Sequence, residues 1–194
     1  AVFKRLDAIK SEYGKVTMMM REAKLPEVFA AIPYQESRYK PSNPSAVCAE
    51  GYWQFMPEVA YRVGKTTKMN FVVRDCEIVK NATKITWSPE QMAPPPNVLK
   101  NGPYMENEKC KITSCRVDDR KDLEKSTQAA IYALREVWED ADIAASGAAV
   151  QITITSHNAG YDDSRFGAAK KSNLRPAYLR WRKDVAEENW PKFV

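Results

Sequence analysis

The sequence predicts a mainly α protein, one helical domain carrying a single long irregular insertion. Three observations carry that reading. Apolar residues recur every three or four positions in several separate segments, the period of amphipathic helices. The stretch 65–117 loses that period and fills with turn formers, among them Pro94, Pro95 and Pro96. Three of the chain's four cysteines also fall in that stretch, which suits an excursion pinned by disulfides. A length of 194 residues is ample for one well-buried domain and short for two, since domains run to about 100–200 residues.

Taken in order, residues 1–24 form a packing helix, with Phe3, Leu6, Ile9, Tyr13, Val16 and Met20 at helical spacing. Of the run Met18, Met19 and Met20, one or two face the core. Pro26 suits the first turn of a second helix, on which Val28, Ile32 and Glu36 follow at i, i+4 and place a carboxylate at the end of an apolar stripe. Residues 40–47, with Pro41, Asn43 and Pro44, form a loop. Residues 53–63 are helical again, with Pro57 early and Gly64 as the stop. The insertion 65–117 is then either a cover over the core or one wall of a cleft. Residues 119–139 return to helical spacing through Leu123, Thr127, Ala130, Leu134 and Val137. In residues 148–158, Val150, Ile152 and Ile154 alternate as in a strand, but Ser146 and Gly147 can start a helix and Gly160 can stop one. The segment is assigned to a buried helix, and residues 176–190 to a surface helix.

Composition bounds the partners. With 44% hydrophobic and 28% charged residues the chain is an ordinary globular one. Its longest uncharged stretch, 143–161, is broken by Ser, Thr, Gln, His and Asn, so no transmembrane segment is expected. The net charge of +5 is scattered and favours polyanions in general, cell-wall polymers included. No Walker, zinc-finger or RNA-recognition motif occurs, so nucleic acid is not an expected partner.

Cys48, Cys76, Cys110 and Cys115 lack zinc-site spacing, and the chain has a single histidine. No metal is therefore expected. Two disulfides in an oxidising compartment fit better, which points to a secreted or periplasmic protein. Three pairings are open; the expected one joins Cys110 to Cys115 around a short loop and Cys48 to Cys76. The chain opens at Ala1 without a charged-then-apolar leader, which fits a secretory signal already removed and equally a trimmed chain.

The chemistry concentrates in residues 33–57. There the chain runs Pro33-Tyr34-Gln35-Glu36-Ser37, then Ser45-Ala46, then Gly51-Tyr52-Trp53-Gln54-Phe55-Met56-Pro57. This order resembles the goose-type lysozyme and lytic transglycosylase family, in which a Glu-Ser pair ends a helix and a Gly-Leu-Met-Gln or Gly-Ile-Trp-Gln motif follows. Downstream, Asp119-Arg120-Lys121-Asp122 with Ser126-Thr127-Gln128-Ala129-Ala130, and then Ser156-His157-Asn158-Ala159-Gly160, are similar to the family's later motifs in their order. The proline before Glu36 is also a feature of the membrane-bound lytic transglycosylase D branch. The resemblance implies a lysozyme-like helical fold, a peptidoglycan glycan strand in a groove, a monomer acting without a cofactor, and Glu36 as the catalytic residue. It further implies that Ser37 and Ser45 support the site, that Gln54 and Met56 contact sugar, and that Asn158 helps build the cleft. His157 stands where the family has a tyrosine whose hydroxyl hydrogen-bonds the catalytic Glu.

Glu36 suits a general acid because an apolar wall, here Val28 and Ile32, penalises the carboxylate and keeps a proton available near neutral pH; the alternative is a solvated helix-end carboxylate. Glycosidases normally use two carboxylates, and the motifs offer no second one. The family's solution is one Glu serving as acid and then base, with the sugar's own 6-hydroxyl or a water as nucleophile. Asp118, Asp119, Asp162 and Asp163 are the remaining water-activating candidates, each otherwise an exposed charge. Of Tyr52, Trp53 and Phe55, one is expected to meet substrate and the rest to be core. Glu50 sits four residues before Gln54; a free carboxylate there would favour the ammonium of de-N-acetylated peptidoglycan, unless it is a solvated loop charge.

Overall fold

The computed structural model describes residues 7, 9–42, 44–46, 48–80, 83–89, 105–106, 109–145 and 147–159. Helix α1 spans Lys10–Glu22 and buries Val16 and Met20. Met18 is 55% exposed, so the methionine run gives the core Met20 and sends Met18 outward.

The second helix divides. Glu27–Ala31 is a 3-10 turn and α2 follows over Ile32–Ser37. A 3-10 turn closes every three residues where an α-helix needs 3.6, so the i, i+4 register is lost across the junction. Val28 is consequently 47% exposed while Ile32 is buried. The apolar wall expected from both residues is reduced to Ile32.

Helix α3 covers Pro57–Thr67, so residues 53–56 lie outside it and Pro57 opens it, where a missing N–H costs nothing. Gly64 does not stop this helix. A Cβ there would meet the Phe71 carbonyl oxygen at 2.3 Å, so glycine serves close packing; the stop is Lys68, in the left-handed region at φ 57°.

The insertion expected to be irregular contains a sheet. Strands β1 (Val73–Lys80), β2 (Thr83–Trp87), β3 (Met105–Glu106), β4 (Lys109–Cys110) and β5 (Ile112–Asp118) lie within it, with β2, β1 and β5 side by side and antiparallel. Their period-two signal is broken twice. Asp75 has φ 53°, so that Val73, Cys76 and Ile78 all face the core although they do not alternate. The β1–β5 register also shifts between Glu77 and Ile78.

The disulfide pairing corrects the expected one: Cys48 bonds Cys110, and Cys76 bonds Cys115. Cys76 and Cys115 are direct partners across β1 and β5. Extended chain rises about 3.3 Å per residue, which puts Cys110 and Cys115 too far apart for a bridge.

A 3-10 turn at Asp119–Lys121 leads into α4, Leu123–Trp138. Asp122 caps α4 by accepting from Lys125 N at 2.9 Å. Helices α5 (Ala141–Ala144) and α6 (Ala149–Ala159) follow. Residues 148–158 therefore resolve as helix against their strand-like alternation, with Ile143, Thr153 and Ser156 buried around α4 and α6. The helix assigned to residues 176–190 lies outside the described residues. One core joins both parts of the chain, with Val16, Phe29, Trp53, Val73, Ile78 and Leu134 in a single cluster. Among the described residues no helix is long and apolar enough to cross a membrane.

Candidate active site

Glu36 is the penultimate residue of α2 and is half-buried. The helix ends because Arg38 and Tyr39 both take left-handed backbone angles, φ 56° and 57°. Such conformations cost non-glycine residues about 1–3 kcal/mol each. Two surroundings hold them: Arg38 N and Tyr39 N donate to the carbonyls of Tyr34 and Pro33, and the buried Tyr39 hydroxyl donates to Ala30 O at 2.7 Å. Burial pushes the Tyr39 phenol well above its ordinary value. The sharp turn leaves Glu36 at a helix end instead of inside a longer helix.

The segment 48–56 lies beside α2. Ser37, 1% exposed, shares its hydroxyl proton between Tyr52 O at 2.9 Å and Pro33 O at 3.0 Å. Ser37 thus ties the Glu36 helix to the Gly51–Gln54 motif. Trp53 is fully buried and donates from Nε1 to Thr127 Oγ1 at 3.1 Å. Its carbonyl accepts from His157 Nε2 at 2.9 Å. The His157 ring stands edge-on to Trp53 and Phe55, with centroids 5.7 and 5.8 Å away. Burial pushes the His157 imidazole below its ordinary value, against the opposite pulls of the Trp53 carbonyl and the charge of Glu36.

Trp53 and Phe55 are core residues, which leaves Tyr52, partly exposed, as the aromatic of the three with surface to offer. Burial raises the Tyr52 phenol, helped by the charges of Glu12 and Asp122. Gln54 adopts φ 49° and folds its amide Nε2 onto Gly51 O at 3.0 Å. Met56 is half-buried just ahead of α3. Ser45 Oγ accepts from Ala49 N at 2.9 Å and shapes the turn that carries Cys48. Asn158 follows His157 on α6; its side chain lies outside the described residues.

Arg120 is the residue beside the motif segment whose part motif reading underrates. In a run of five charged residues it looks solvated, yet it is 1% exposed. Its Nε and Nη2 donate to Asp118 at 2.7 and 2.6 Å. Nη1 donates to the carbonyls of Cys48 and Phe55 at 2.8 and 3.0 Å, one at each end of the motif segment. Its own carbonyl accepts from Tyr52 N. Gly51, at φ 84°, lets the chain pass: a Cβ would lie 1.9 Å from Arg120 O.

These contacts correct three carboxylate assignments. Asp118 is buried against Arg120. Asp119, also buried, accepts from Val72 N at 2.8 Å and pairs with Lys125 at 2.8 Å. Neither is an exposed charge, and neither is free to activate water. Glu50, with a side chain 13% exposed, pairs with Lys121 at 2.8 Å and Arg120 at 3.4 Å. A carboxylate already compensated by two cations is not the free charge that recognition of a sugar ammonium needs. Asp162 and Asp163 lie outside the described residues.

A shallow depression of about 410 Å³ on the sheet, lined by Asp75, Glu77, Lys84 and Arg116 among others, shares no residue with the Glu36 site. Its charges pair with each other, Arg116 with Asp75 and Lys84 with Glu77. Among the described residues no group of three or more His, Cys, Asp or Glu side chains could hold a metal ion.

No curated protein and no solved structure matches the chain. Residues 17–87, which carry Glu36, Ser37 and the Gly51–Gln54 motif, match the family model described as transglycosylase SLT domain, and over that stretch the chain is similar to lytic transglycosylases and lysozymes.

Proposed function

We propose that this protein cleaves the MurNAc–GlcNAc linkage of peptidoglycan, with Glu36 as the single catalytic carboxyl. The observation that carries the reading is the meeting of three motifs beside the Glu36 helix: Ser37, the residue after Glu36, holds the Tyr52 carbonyl, and His157 holds the Trp53 carbonyl. The commitment of Asp118 and Asp119 to Arg120, Val72 and Lys125 favours a one-carboxylate mechanism.

In that mechanism Glu36 gives its proton to the glycosidic oxygen as the C1–O4 bond breaks, and charge of oxocarbenium character develops at C1. The Glu36 carboxylate then takes a proton from the nucleophile as the new bond to C1 forms, which restores the acid. When the nucleophile is the 6-hydroxyl of the same sugar, the product is the 1,6-anhydro ring; when it is water, the product is a reducing sugar. The 6-hydroxyl is already tethered to the reacting carbon, so a second carboxylate to position and activate water is unnecessary. Supported by its match to the transglycosylase SLT domain, the anhydro product is the expected one. Envelope peptidoglycan is the natural substrate, and the two disulfides fit a secreted or periplasmic setting.

Mass spectrometry of muropeptides released from purified cell walls tests this reading. Anhydro muropeptides, each lighter by one water than the hydrolytic product, are expected. Reducing-end products alone would replace the transglycosylase reading with a lysozyme one, and glycan binding without any release would leave a peptidoglycan-binding protein.

A further inference from the structure

Gln54, a sugar contact by resemblance, is held in a conformation that residues with a Cβ disfavour. Its φ of 49° lies in the left-handed region, where glycine is the usual occupant. Such a residue persists only where its surroundings over-determine it. Around it the turn Gly51–Gln54 is closed by an antiparallel bridge between Glu50 and Phe55. What remains to be fixed is one peptide unit, that joining Trp53 to Gln54. A peptide unit turns as a plane, so the direction of the Trp53 carbonyl and the φ of Gln54 are set together. Turned over, the same unit would return Gln54 to the negative φ that L-residues prefer.

Two hydrogen bonds hold that plane. Gln54 N donates to Gly51 O at 3.4 Å, and the shorter bond, at 2.9 Å, joins Trp53 O to His157 Nε2. A carbonyl can only accept, so Nε2 carries the hydrogen. The ring is itself fixed, edge-on to Trp53 and Phe55, the residues that flank Gln54 in the chain. Burial favours the neutral imidazole, which has a single N–H, and that hydrogen is committed to the backbone. The preceding carbonyl, Tyr52 O, accepts from Ser37 Oγ at 2.9 Å. Two successive carbonyls are thus gripped from α2 and α6, and the grip ends at the residue before Gln54.

We infer that His157 is a positioning residue for the sugar contact: its Nε2 hydrogen on the Trp53 carbonyl locks the Trp53–Gln54 peptide and keeps Gln54 in the left-handed conformation from which it meets the glycan. This rests on the proposed glycan-cleaving site. It differs from the part of the tyrosine whose place His157 takes, because the hydrogen serves the backbone ahead of Gln54 and not the catalytic carboxyl. Loss of the donor therefore weakens the hold on substrate and leaves the titration of the general acid where it was.

Kinetics and NMR test the inference. His157→Phe, which keeps a ring and drops the donor, is expected to raise KM for soluble glycan strands about tenfold, the scale of one hydrogen bond, with both limbs of the pH profile of kcat/KM unmoved. His157→Gln, whose amide nitrogen lies as many bonds from Cβ as Nε2 does, is expected to restore KM. An unchanged KM, a KM that Gln does not restore, or a limb that moves overturns the inference. NMR needs no activity. Backbone chemical shifts and residual dipolar couplings of Gln54 read the sign of its φ, expected positive in the wild type and in His157→Gln and no longer fixed there in His157→Phe. A φ still fixed positive in His157→Phe overturns the inference. The chain has one histidine, so 15N shifts of its ring in the wild type identify the protonated nitrogen with no variant at all: Nε2 is expected, and a hydrogen on Nδ1 alone contradicts the inference. If the wild type cleaves no glycan, the proposed activity fails, and the NMR results decide the link from His157 to Gln54 by themselves.

Discussion

The helical body and the disulfide-bonded sheet grip the same segment, residues 48–56, by different chemistry. From the helices come neutral hydrogen bonds to its middle: Ser37 to Tyr52 O, His157 to Trp53 O, and Thr127 receiving the Trp53 indole. From the sheet side come a covalent bond and a buried guanidinium at its ends: the Cys48–Cys110 bridge, and Arg120 on the carbonyls of Cys48 and Phe55. Hydrogen bonds from Ser37 and His157 hold the middle of the segment beside the helix that carries Glu36, whereas the sheet holds the segment's two ends in place. The two grips differ in how a break should be felt: a break at the ends costs fold, and one in the middle costs less fold and more catalysis.

The largest expected effect is on the sheet side. Replacing Arg120 with Ala leaves Asp118 buried without its cation, a change that costs about 3–5 kcal/mol. Thermal denaturation should register it as the steepest loss among single variants, and a loss near zero would mean that Asp118 finds another partner. The bridges come next, each worth about 2–5 kcal/mol when removed. They should separate: Cys76→Ser with Cys115→Ser is expected to lower the melting temperature and spare more activity, because that bridge lies wholly between β1 and β5. Cys48→Ser with Cys110→Ser is expected to cost activity as well, because it frees the segment before Gly51. Equal activity losses in the two pairs would erase the proposed division of labour. Thr127→Val is the smallest: it keeps shape but strands the Trp53 Nε1–H, an unsatisfied donor costing about 1–3 kcal/mol, checked by chemical denaturation.

The same contrast explains what could be read from sequence. Helix α4 was legible because Leu123, Thr127, Ala130 and Leu134 keep one period and Asp122 supplies a visible cap. Glu36 and the Gly51–Gln54 motif were legible by spacing and resemblance. The sheet was not, because the left-handed backbone of Asp75 and the register shift after Glu77 destroy the alternation by which strands are recognised. Arg120 was not, since a guanidinium in an Asp-Asp-Arg-Lys-Asp run looks solvated until the carbonyls that surround it are known. Cys48 and Cys110 meet across 62 residues of chain, a contact no local pattern encodes. Val28 failed for a local reason, the 3-10 turn that shifts helical phase ahead of α2.

Replacement of Glu36 by Gln tests the central claim most directly, because it keeps size and polarity while removing the transferable proton. Release of soluble muropeptides from purified walls is expected to fall by about a hundredfold or more, the scale of a lost general acid, while co-sedimentation with the same walls persists. Equal release by Glu36→Gln and wild type would contradict the account.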